Sequence, residues 1–292
     1  MPQVVIENII EKSDYRSVLA LRRTCRRLQH QVDNASYGVL PDAKFRSIVI
    51  SFRDDEIYLG AHYSVDKSHF YLYRVQDKGK FKKNSFGTFI LDQEFENEPL
   101  IDMLNEDLEE LLRFSKSEVF DFEVRFYNDI QGILQSFLTI LKNTLKSRPK
   151  PLKVFRLTVY SHEYYQLASI LPFLDSNSPK IIRLFGLVPK NGQLNVGLEM
   201  SEIIKTEKWK SVQEVEFDGM RTIPLEFISH CRRVFMGTLW GPPHISSSND
   251  KRWYFRISNS EDILGIFHCS TLFILSRIGL DYVPNGAVIH DN

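Results

Sequence analysis

Four apolar, β-branched runs begin at intervals of about thirty residues in the second half of the chain, the period expected of a helix-plus-strand solenoid. They are "EVFDFEV" (118–124), "LKVFRLTVY" (152–160), "PKIIRLFGL" (179–187) and "VQEVEFDGM" (212–220). Each follows a stretch with helical or near-helical character. "LIDMLNEDLEELLRFS" carries Leu100, Leu104, Leu108, Leu111 and Leu112 on one side, and "DIQGILQSFLTILKNTLKS", "EYYQLASILPFLD" and "LEMSEIIKTEKW" precede the next three runs. "PLEFISHCRRV" reads as the start of a fifth unit, and "RWYFRIS" (252–258) is strand-like again. The repeats share no strict leucine code, so an irregular α/β domain is the alternative to a leucine-rich-repeat-like one.

Two different patterns come first. Residues 45 to 91 alternate apolar and polar side chains in runs rich in Ile, Val, Tyr and Phe, which predicts a meander of three or four antiparallel strands. Asp54-Asp55 and Lys78-Gly79-Lys80 are the expected hairpin tips, and the lysines around the second read as a solvated turn. The first forty residues are helical in period. Val5, Ile6, Ile9 and Ile10 form one apolar face; Val18, Leu21, Cys25, Leu28 and Val32 form a second seam, taken as one helix. Ser13 and Asp14 are candidate caps between the helices, and Gly38 and Pro41 end the second. A module of this size cannot bury two apolar faces by itself and needs something to cover them. Arg22, Arg23, Arg26 and Arg27 read as a charged flank to the second seam.

Lys+Arg and Asp+Glu are both 37, a net charge of zero, which argues against a dedicated nucleic-acid binder. Cys25, Cys231 and Cys269 are odd in number and far apart, so a disulfide framework is not expected and a reducing compartment is. No apolar leader is visible, and polar residues interrupt the late run from Ile263 to Leu280, which reads as a buried element rather than a membrane span. These features predict a cytoplasmic or nuclear protein that does not engage membranes. Phosphate-binding loops, G-x-S-x-G, H-E-x-x-H and C-x-x-C are all missing from the sequence. The doublets His230-Cys231 and His268-Cys269 diverge on either kind of element and read as structural. Glu106, Asp107, Glu109 and Glu110 read as a solvated helix face. The expectation is a chain without catalytic residues, metal or cofactor. Trp240 and Trp253 are candidate target-binding anchors, the first within a Gly-Pro-Pro turn (238–250) that reads as a surface loop.

The segment "PQVVIENIIEKSDYRSVLALRRTCRRLQHQVDN" resembles the F-box: Pro2, Val5, Ile9, Ile10, Leu21, Arg22, Cys25 and Leu28 match its residue types and spacing, while Met1 and Ser13 stand where Leu is common. The order of an F-box, a strand meander, "DLEELLRFSKSEVFDFEV" and "IPLEFISHCRRV" is similar to the nematode F-box A family, whose members carry a C-terminal FTH domain. The resemblance implies three regions: an F-box (1–40), the meander (41–95) and an FTH-type helix–strand domain (96–292). It implies the substrate-recognition subunit of an SCF-type (Skp–cullin–F-box) ubiquitin ligase. Pro2, Val5, Ile9, Ile10, Val18, Leu21, Arg22, Cys25 and Leu28 would dock on a Skp-type adaptor, and through it a cullin, while the C-terminal domain holds a target protein. A repeat module of another class, with self-associating N-terminal helices and a ligand or nucleic acid on the repeats, is the alternative.

Overall fold

The computed structural model describes residues 3–53, 55–64, 67–75, 81–86, 91–95, 100–127, 133–161, 165–186, 203–218, 225–237, 251–257, 261–269, 272–285 and 287–290. It has two compact units: residues 1–156 with 169–178, and residues 157–168 with 179–292. The fold class is α+β, with a helical N-terminal region ahead of mixed β-structure.

The first unit opens with three short helices, α1 (Gln3–Lys12), α2 (Tyr15–Thr24) and α3 (Arg26–Asp33). Asp14 caps α2 by accepting the Ser17 N–H at 2.8 Å. The second apolar seam is not one helix. Cys25 is fully extended (φ −160°, ψ 161°) and separates α2 from α3. Thr and Cys are weak helix formers, and the Thr24 hydroxyl turns back to the Ala20 carbonyl at 3.1 Å, so the break falls at the least helical pair.

A meander follows: β1 (Ser47–Arg53), β2 (Glu56–Ser64), β3 (Lys67–Val75), β4 (Phe81–Phe86) and β5 (Leu91–Phe95), antiparallel throughout. Arg53 pairs with Glu56, so β1 and β2 are joined across the two expected tip residues; Asp54 and the Lys78-Gly79-Lys80 tip lie outside the described residues. Next come α4 (Leu100–Arg113), β6 (Val119–Phe126), α5 (Ile133–Ser147) and the start of β7 (Val154–Ser161). β1 pairs in parallel with β6, so the meander and the first strand of the alternation form one sheet. Register puts Ile48, Ile50 and Phe52 beside Phe122, Val124 and Phe126 and opposite Ala61, Leu59 and Ile57, all at most 1 % exposed. The buried side chains of α4 and α5 complete this core, with the Phe137 ring 4.8 Å from that of Phe52. Two-residue periodicity in the strands and 3.6-residue periodicity in the helices thus meet on one apolar interface.

In the second unit β8 (Ile181–Gly186), β9 (Glu214–Asp218) and β10 (Arg233–Gly237) run parallel in chain order. Short helices α7 (Glu207–Lys210) and α8 (Leu225–Ile228) fall in the connections, α6 (Tyr165–Ile170) having come earlier. Trp209 of α7 is buried and donates its indole N–H to the Phe227 carbonyl at 2.8 Å, tying the two connections together. The helix–strand alternation ends at β10. β11 (Lys251–Arg256), β12 (Asp262–Cys269) and β13 (Leu272–Gly279) are antiparallel, with β13 alongside β10, and the two-residue β14 (Ile289–His290) closes the edge on β11. The apolar run from Ile263 to Leu280, expected to be buried, is therefore a hairpin. Ile263 is buried, but Leu264, Ile266, Phe267, Ile274, Leu275 and Ile278 are only half-buried.

Candidate functional site

Helix α1 sorts its apolar residues into two faces. Ile6 and Ile10 are buried in the chain's own core, at 2 % and 0 % exposure, whereas Val4, Val5 and Ile9 stand open at 66 %, 41 % and 39 %. The open three span about 140° of helix surface. Exposed apolar clusters of this kind on a charged chain mark contact surfaces. Cys25 at the break is also exposed, and Leu21 and Leu28 are half-buried.

The opposite side of the helical module is closed by the chain itself. Tyr15 is buried in an aromatic cage, its ring centroid 4.8 Å from Phe114, 5.3 Å from Phe45, 5.9 Å from Tyr63 and 6.0 Å from His69. Val18, Leu19 and Val32 are fully buried. Arg113 of α4 donates to the Val32 and Ala35 carbonyls at 3.1 and 2.8 Å, satisfying acceptors at the end of α3. Asp42 accepts the backbone N–H groups of Lys44, Lys116 and Ser117, which holds the chain after α3 against the turn after α4. Those donors and the Ser117 hydroxyl bring the Asp42 carboxyl below its ordinary value against the opposing effect of burial, the largest single influence.

Of the nine expected docking residues, the structure leaves Val5, Ile9 and Cys25 exposed and Leu21 and Leu28 partly so, but takes three elsewhere. Ile10 and Val18 are core. Arg22, expected on the charged flank of the seam and among the docking residues, is engaged within the chain, its Nε 2.7 Å from Asp33 Oδ1 and its Nη1 2.8 Å from Glu110 Oε2. Once α2 ends at Thr24, its buried residues are Tyr15, Val18 and Leu19, and Arg22, at i+7 from Tyr15, continues their stripe as a half-buried, ion-paired residue. Pro2 lies outside the described residues.

The acidic face of α4 is also not wholly solvated. Glu106 and Glu109 are exposed, but Asp107 is buried at 7 % and the Glu110 side chain is 9 % exposed. Alternate residues of β3, His69, Tyr71 and Tyr73, share its buried face. The Tyr73 hydroxyl donates to Asp107 and the Tyr71 hydroxyl to Glu110, while His69 Nε2 is 3.8 Å from Glu110 Oε1. Burial first, then the Glu110 charge, pushes the Asp107 carboxyl well above its ordinary value, with Arg22 and Arg23 opposing. Burial, and after it Glu110 and Asp107, raises the Tyr71 phenol well above its own, so it stays a donor. This polar row links β3, α4 and α2, and its hydrogen bonds make it a clamp.

Elsewhere, His230 approaches the Trp209 carbonyl at 2.8 Å, and burial pushes the neighbouring Cys231 thiol up to about 12, which keeps it an inert wall residue. Trp253 is half-buried on β11, and Trp240 lies outside the described residues. Among the described residues no group of three or more His, Cys, Asp or Glu side chains could hold a metal, and no helix is long and apolar enough to cross a membrane.

Comparison with known families matches residues 1–39 to the F-box domain and residues 135–239 to the FTH domain. The first match covers α1 to α3 and the turn after them. The second begins in α5 and ends just past β10, where the helix–strand alternation stops. No curated protein and no solved structure matches the chain.

Proposed function

We propose that this chain, an F-box protein with a C-terminal FTH domain, is the substrate-recognition subunit of an SCF-type ubiquitin ligase. F-box proteins are generally adaptor subunits rather than enzymes. The observation that carries the reading is the asymmetry of the helical module: its inner face is fastened by Tyr15, Arg22 and Arg113, while Val4, Val5 and Ile9 remain open on its outer face. A Skp-type adaptor covers that open face. A fully buried Val or Ile side chain contributes about 1.5–3 kcal/mol, and association costs roughly 4–15 kcal/mol in lost freedom. Three partly exposed residues on α1 do not offset that cost alone, so Cys25, Leu21 and Leu28 share the contact.

With the adaptor and a cullin bound through the helical module and a target protein held by the C-terminal domain, the chain contributes proximity rather than bond chemistry. It raises the effective concentration of target lysines near the ubiquitin-charged enzyme, in the cytoplasm or nucleus and without a cofactor. Trp253 on β11 is part of the target-facing region. Affinity purification of the tagged full chain from cells tests the assembly. Adaptor and cullin are expected with the wild-type chain and absent with Val5→Asp Ile9→Asp; equal recovery with both overturns the reading.

A further inference from the structure

The helix–strand alternation stops at β10, but the sheet of the second unit continues for three more long strands. Where it stops, α8 ends over a cavity of about 250 Å³ on one sheet face. Its walls are apolar: Ile228 from α8, Cys231 and Val234 leading into and along β10, Leu264 of β12 and Leu275 of β13. Pairing puts Val234 directly beside Leu275, and Leu275 beside Ile266, which in turn faces Trp253, so these side chains share one face. The first of this row is buried and the others are half-buried. Three arginines, Arg232, Arg256 and Arg277, also line the cavity, and none of the described lining residues is acidic. Arg232 and Arg256 are exposed; Arg277 donates to the Ser229 carbonyl, which fixes it beside the cavity. In the adjoining hollow, Asp262 lies together with Arg232 and Arg277 among the described lining residues.

We infer that this cavity is the target-recognition pocket of the chain and that it takes an apolar side chain flanked by acidic residues in a peptide segment of the target. The inference rests on the reading of the chain as a substrate receptor and supplies the class of sequence it selects. Size decides the apolar part: the volume is below the roughly 300–1,000 Å³ of pockets for whole small ligands, and suits one Leu- or Phe-sized side chain. Charge decides the flanks, because arginine guanidinium groups at an apolar mouth pair with carboxylates in bidentate geometry and reject basic segments. Continuity decides for a peptide over a free small acid. The half-buried row through Ile266 to Trp253 offers apolar contact beyond the pocket, which a chain can follow and a single side-chain-sized acid cannot.

The test uses the purified full chain and dye-labelled, end-blocked heptapeptides with Phe, Leu or Trp at the centre and Glu on both sides, read by fluorescence anisotropy. At least one is expected to bind, to weaken by roughly tenfold or more with Arg232→Glu Arg256→Glu, and to lose binding when its central residue is Ala. The same double variant should gain affinity for the matching peptides with Lys in place of Glu. Leu264→Glu is expected to abolish binding of the acidic peptides. Thermal unfolding midpoints and Skp-type adaptor binding of each variant, matched to wild type, show that the fold is intact. Three results overturn the inference: no binding of any acidic peptide up to about 1 mM, equal binding of acidic and basic peptides, or saturable binding of laurate without any peptide binding. Because adaptor binding is read separately, failure of the pocket leaves the receptor reading standing, and loss of adaptor binding in the wild-type chain leaves the pocket result intact.

Discussion

Burial, and after it the Glu110 charge, holds the Asp107 carboxyl well above its ordinary value in the folded chain. Below its ordinary value of 3.8 the carboxyl is protonated in both states and contributes nothing to pH dependence. As the pH rises above that value, the unfolded chain loses the proton while the folded chain, with the group buried under Tyr73, keeps it. Stability therefore falls with rising pH until the raised folded value is passed. Asp107→Asn removes that dependence, so its stability advantage over wild type should be absent in acid and open toward neutrality, as denaturant unfolding across pH will show. A gap that closes toward neutrality contradicts the assignment. Arg22→Ala should cost about 1–3 kcal/mol in the same assay, because it removes the arginine partner of the nearly buried Glu110 side chain and leaves it the Tyr71 hydroxyl. Asp107 was legible in principle: on the α4 wheel it lies about 60° from Leu104 and about 40° from Leu111, at the edge of the apolar arc. What concealed it was its company of Glu106, Glu109 and Glu110, which makes the whole run look solvated. The β3 partners were less legible, because "HFYLYRV" is aromatic or apolar on both faces and only the pairing decides which face is inward.

At the scale of elements, α1 behaves as two half-helices laid side by side. Ile10→Ala should cost about 2–4 kcal/mol of unfolding free energy, as for a deleted core side chain. Val4→Ala and Val5→Ala, on the open face, should stay within about 0.5 kcal/mol of wild type. A large loss at Val5 would mean that its face is already covered within the chain. The helical period of the first forty residues, the antiparallel meander (with five strands where three or four were expected) and the alternation from α4 onward were written plainly in the sequence. The break at Cys25 was not. The residues on either side continue a helical period of apolar positions, and the break is local, one extended residue at a pair of weak helix formers. Missing that break rotated the inferred seam of α2 and left Arg22 on its charged flank, when it pairs with Asp33 and Glu110 within the chain. The end of the alternation at β10 was equally hard to read, since β11 to β13 carry the same Ile, Leu and Phe content as the strands before them and differ only in direction.

For the whole molecule, the consequence is that the helical module is a structural part of the first unit as well as the proposed docking element. Deleting residues 1–40 would strip Tyr15 from the Phe45, Tyr63 and Phe114 rings and remove Arg22 from Glu110. The truncated chain is expected to melt earlier and to aggregate in gel filtration, so deletion is a poor test of docking, and point changes on the open face of α1 are a clean one. The FTH match, ending where the alternation ends, leaves the β11–β13 hairpins as an extension with a half-buried apolar face of its own. One measurement tests the central claim most directly: calorimetric titration of a purified Skp-type adaptor into the full chain, wild type against Val5→Asp, with the unfolding midpoint of each chain recorded alongside. The account predicts saturable one-to-one binding by the wild type and none by Val5→Asp at an unchanged midpoint. Binding of the same affinity by both chains, or by neither while both are folded, would contradict it.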